Sequence, residues 1–196
     1  MESYKLNFLD RINLIFLEPD SIPRRGGKLE IESDYILNIF VFLSALSISV
    51  GGFYLTSSDI NVVFILASTT IHWLCLSVLP YILSPFIDFF AQMKDKSGKT
   101  KDILVYMKYS TLVFLLFTPL AMLFKAFAIK NVFGLMVTFL VVSLMFAYNT
   151  LRGMNLIYDL ENPISMRIFV LSSGFLFAIP MILSWFLFAF LLLAMR

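Results

Sequence analysis

One histidine, one cysteine and little charge narrow what this 196-residue sequence can do. Its single cysteine, Cys75, permits no disulfide framework within the chain. The lone histidine, His72, sits inside an apolar run, so no Ser/His/Asp set is available for hydrolysis. No cluster of His, Cys or carboxylates accompanies it at metal-ligand spacing. Charged residues make up 14% of the chain, against about 25% in soluble domains. That deficit leaves no room for a separate soluble domain. The centres of the apolar runs lack the charges on which ion-coupled pumps depend. Ser97-Gly-Lys-Thr100 has the end of a phosphate-binding loop but Met93 where its first glycine belongs, and no strand precedes it. Neither enzymatic activity, a cofactor nor a nucleic-acid partner is expected.

What the sequence does have is apolar length. Hydrophobic residues reach 60%, with 22 phenylalanines. Five runs, at 35–55, 60–84, 103–124, 131–151 and 166–194, each reach the roughly 20 residues that a membrane-spanning helix needs. Backbone groups in lipid must bond within their own segment, so each run reads as a helix. The sequence predicts an all-α integral membrane protein. Residues 1–34 form a cytoplasmic segment, and residues 35–196 form a five-helix transmembrane bundle. Lys and Arg set the orientation. Twelve fall on the side of the N-terminus, the second loop and the fourth loop, and three on the other. The N-terminus is therefore expected in the cytoplasm and the C-terminus outside.

Leu6–Leu17 predicts a short amphipathic helix, with Phe8, Leu9, Ile12, Ile15 and Phe16 on one face and Asn7, Asp10 and Arg11 on the other. Such a helix lies in the headgroup plane or packs on the cytoplasmic ends of the spans. The second apolar run continues past Pro80 and Pro85 into Phe86–Phe90, an extension expected to bend or to follow the interface. Lys94, Lys96, Lys99 and Lys101, with Arg24 and Arg25, form a basic collar suited to anionic headgroups, each lysine near the surface adding about 1 kcal/mol. The same charges also fix topology. Within the runs, Asn38, Thr70, His72, Ser143 and Asn149 are the candidate polar cluster. Polar residues there bond between helices or line a pathway. Asp159 and Glu161 read as solvated residues of the fourth loop.

Several local patterns carry a resemblance. They are Phe16-Leu-Glu-Pro19 ahead of the first span, the proline-ended second helix and the Lys96-Ser-Gly-Lys-Thr100 loop. Tyr109-Ser-Thr111, Pro119 late in the third run and Ala147-Tyr-Asn-Thr-Leu-Arg-Gly153 complete the set. In these and in its five runs, the chain resembles the Yip-domain family of Ypt/Rab-interacting membrane proteins, most closely its short prokaryotic branch. The resemblance covers nearly the whole chain. It implies a five-span fold, residence in a prokaryotic inner or cell membrane, and a non-enzymatic role in organising membrane or recruiting a partner. Its eukaryotic members act in vesicle trafficking and membrane shaping. The alternative is a small transporter or permease subunit that forms a solute or lipid pathway with its own copies or a partner chain. Expected partners are anionic lipids and either a second copy or another membrane protein.

Overall fold

The computed structural model describes residues 8–17, 35–56, 62–127 and 131–174. Among these, every regular element is helical and no strand occurs. Four helices are long and apolar enough to cross a membrane: Tyr35–Thr56, Val62–Gln92, Thr100–Ala126 and Val132–Tyr158. Of the fifth expected crossing, residues 166–174 belong to a helix over 162–174. Its remainder lies outside the described residues, as do Arg24, Arg25, Leu6 and Asn7.

Helix α1 (Phe8–Phe16) puts Ile15 into the core at 1% exposure and leaves Asn13 exposed. Helix α2 (Tyr35–Thr56) buries Leu37, Val41, Ser44, Ile48, Gly51 and Leu55. Steps of three and four keep those residues on one face. Gly51 marks a close approach. A Cβ there would lie 2.8 Å from Cδ1 of Phe117 and 3.1 Å from the backbone of Thr118. Small residues at such crossings let membrane helices pack backbone to backbone.

Helix α3 (Val62–Gln92) runs unbroken through Pro80 and Pro85, eight residues beyond the expected end at 84. Membrane helices tolerate proline because neighbouring groups re-satisfy the freed carbonyls. The third run departs further from expectation. It is not one α-helix but α4 (Thr100–Ser110), a 3-10 segment (Thr111–Leu116) and α5 (Phe117–Ala126). Pro119 explains part of this. It has no N–H to offer the carbonyl four residues earlier, that of Leu115. Ser47 Oγ of α2 donates to that carbonyl instead, at 2.9 Å. Thr118 completes the joint, donating from its N–H to Ser47 Oγ (3.0 Å) and from its hydroxyl to the Ser47 carbonyl (2.7 Å).

Helix α6 (Asn131–Tyr158) extends seven residues past the expected boundary at 151. It stops at Asp159, whose φ of 50° is the left-handed conformation that ends helices. Helix α7 spans 162–174. Asn155 is helical, and its side chain bonds Asn162 and Ser165 across the turn. Large apolar side chains remain exposed on the outer faces, among them Phe64, Ile71, Phe89, Phe133 and Leu144. That outward belt suits hydrocarbon rather than water.

Candidate functional site

Polar side chains gather where α3 ends, α4 begins and α6 ends. Asp88, at 4% exposure, is the centre. Its Oδ1 accepts from the Lys99 backbone N–H (2.7 Å) and the Tyr158 hydroxyl (2.6 Å). Its Oδ2 accepts from Gln92 Nε2 (2.7 Å) and the Thr100 hydroxyl (2.6 Å). Lys99 is the N-cap of α4 and supplies no side-chain cap of its own. Asp88 therefore caps α4 from another helix, placing negative charge at the positive end of its dipole. Four donors make this carboxylate fully coordinated, an arrangement that fastens three helix ends together.

The lysine loop reinforces the same junction. Lys96 Nζ donates to the Asp159 carbonyl (2.7 Å) and Lys99 Nζ to the Ile157 carbonyl (2.6 Å). Both ammoniums sit at the C-terminal end of α6, where orphan carbonyls and the dipole favour cations. Lys94 and Lys101 are exposed. Above the junction, Tyr106 is fully buried and its hydroxyl donates to the Ile15 carbonyl of α1 at 3.4 Å.

The candidate intramembrane residues line different spaces. Asn149 faces an apolar cavity of 690 Å³ shared with Phe16, Phe40 and Tyr148. His72 faces one of 530 Å³ with Phe53, Phe117 and Phe139. Asn38 lines a third of 220 Å³. Thr70 turns its hydroxyl back onto the Leu66 carbonyl. Ser143, half-buried on α6, lines none of the three.

His72 Nδ1 lies 2.8 Å from the Ser68 carbonyl. A carbonyl only accepts, so Nδ1 carries the proton. Ser49 Oγ, from α2, stands 3.4 Å from the same nitrogen. This is helix-to-helix bonding around one ring. His72→Gln should therefore leave the thermal midpoint in detergent nearly unchanged. His72→Leu should lower stability by roughly 0.6–2 kcal/mol, the range for a polar contact between membrane helices. A folded Gln variant that lost function would reassign His72 to proton transfer.

The third cavity also contains a charge. Lys108 is only 9% exposed and lies inside the third crossing. Its ammonium stands 4.6 Å from the centre of the Tyr81 ring. Asn38, Trp73, Ser77 and Thr111 share the cavity. Trp73 Nε1 is itself buried, sealed from solvent and without a hydrogen-bond partner. An acid isolated in the apolar stretch Phe86–Phe90 and a lysine five residues into the third run were the available signals for Asp88 and Lys108.

No family model, curated protein or solved structure matches this chain.

Proposed function

We propose that this chain is a non-enzymatic membrane protein of the Yip-domain type, which organises membrane or recruits a partner through its cytoplasmic face. In this reading it crosses the membrane five times. The fifth crossing is the apolar run 166–194, and the N-terminus is cytoplasmic. Helix α1 lies at the cytoplasmic interface, with Ile15 inward and Asn13 and Leu17 outward. The observation that carries the reading is the dispersal of the intramembrane polar groups. Asn38, His72 and Asn149 line three separate cavities, and His72 and Thr70 are bonded to their own helix. A solute path would gather such groups along one lumen. Exposed Lys94 and Lys101, beside the bonded Lys96 and Lys99, give the same end a basic rim for anionic lipid.

Liposome reconstitution separates this role from transport. Swelling in neutral solutes should match that of protein-free vesicles, while vesicle size and curvature should change with protein density. Solute-selective swelling that is lost on substituting Asn38 or Asn149 would establish a permease instead.

A further inference from the structure

The 530 Å³ cavity between α2, α3, α5 and α6 lies at mid-depth of the crossing. His72 is ten residues along α3 from Val62, about 15 Å into the roughly 30 Å of a hydrocarbon core. The lining has two chemistries. Ser49, Ser68 and His72 are its polar part, and Phe53, Phe117 and Phe139 its aromatic part. A few convergent polar groups in an otherwise apolar space of about 300–1,000 Å³ are the general form of a small-molecule site. The volume is ample, since an apolar cavity of about 150 Å³ already encloses a benzene ring.

His72 brings an unmet group to this space. Its Nδ1 proton goes to the Ser68 carbonyl, which leaves Nε2 as an acceptor. The Ser68 and Ser49 hydroxyls, 3.2 and 3.4 Å from Nδ1, hold the ring from that side. Nε2 has no hydrogen-bond partner among the described residues, and unlike the Trp73 nitrogen it is not sealed off. Surrounded by hydrocarbon, such an acceptor calls for a donor hydrogen. Phe117 and Phe139 already meet edge to face, with centroids 6.4 Å apart at 66°, and a further ring can extend that packing. Met136, Phe139 and Leu140 line the cavity and are exposed on the outer surface, so it is reached from the lipid side. The matching ligand is lipid-soluble and aromatic and carries a hydroxyl.

We propose that this cavity binds a membrane-dissolved phenol, with its ring against Phe117 and Phe139 and its hydroxyl donating to His72 Nε2. An apolar tail leaves past Met136 and Leu140. A plain acyl chain would fill the space but leave Nε2 unmet. Nothing in this site depends on the exposed loop lysines.

Native mass spectrometry of the full chain in mild detergent tests it, with para-octylphenol, para-octylanisole and dodecanol as separate probes. One para-octylphenol per chain should bind, about fivefold more tightly than the anisole, which has the ring and lacks the donor. Dodecanol, which has the donor and lacks the ring, should also bind several-fold more weakly. His72→Phe should bring the phenol down to the affinity of the anisole and leave the anisole unchanged. Gly52 also lines the cavity, and an added Cβ there meets only Leu135 at 3.6 Å. Gly52→Leu should therefore fill the space and weaken phenol and anisole alike, about tenfold, which covers the case of a misfolded His72 variant. Equal affinity of wild type for phenol and anisole would overturn the role of Nε2. Dodecanol binding as tightly as the phenol would overturn the aromatic assignment. Unchanged phenol binding by folded Gly52→Leu would place the ligand elsewhere and overturn the site.

Discussion

Asp88→Ala should destabilise the bundle by roughly 3–5 kcal/mol, because hydrogen bonds to a charged group contribute about 1.5–3 kcal/mol each and are not fully additive. The substitution strands four donors, from Gln92, Lys99, Thr100 and Tyr158. Gln92 is exposed and finds water, but Tyr158 is buried. Asp88→Asn should cost far less, about 1 kcal/mol for one neutral bond in place of a charged one. The asparagine amide group can face Thr100 and Gln92, whose hydroxyl and carboxamide turn to accept from it. Thermal unfolding followed by fluorescence-detected size exclusion measures both variants. An alanine variant within 1 kcal/mol of wild type would show that the carboxylate does not fasten the three helix ends.

Gly153→Ala should be nearly as damaging. A Cβ at Gly153 would fall within 2.8 Å of three carbons of the Tyr106 ring. The ring cannot give way, since it is fully buried and its hydroxyl reaches the Ile15 carbonyl of α1. Overpacking of this kind costs about 1–3 kcal/mol, and the upper end is expected here. The strain should pass to α1, which should become accessible to protease before the spans loosen. Gly52→Ala is the control, because its nearest neighbour is Leu135 at an ordinary 3.6 Å. Equal stabilities for the two alanine variants would mean that α6 and Tyr106 separate freely.

Four of the five expected spans were legible among the described residues because hydropathy over about 20 residues is a property of the chain alone. Tyr35–Leu55 and the observed Tyr35–Thr56 differ by one residue. Boundaries failed where a partner sets them. Helix α6 outlasts its apolar run because Lys96 and Lys99 bond carbonyls at its end, and those lysines lie 63 and 58 residues away in sequence. The 3-10 segment was hidden for a similar reason. Pro119 signals a freed carbonyl, but only the fold shows that Ser47 receives it. The candidate polar cluster listed residues by type and depth, and helix rotation then distributed them to different cavities. Asp88 and Lys108 lie near the ends of apolar runs, where sequence alone does not separate a buried charge from a solvated one. Burial of those two depends on which helices surround them.

The Asp88 junction also carries an order of assembly. Lys99 and Thr100 follow Asp88 by 11 and 12 residues, so three of its four partners, with Gln92, are made almost at once. Tyr158 comes 70 residues later. The α3–α4 hairpin can thus form with three of the carboxylate's four hydrogen-bond donors supplied locally. Arrival of the α6 terminus then closes the junction with the tyrosine and the two lysine contacts. The last turn of α6 is then a latch that closes on a hairpin whose own bonds need nothing from it.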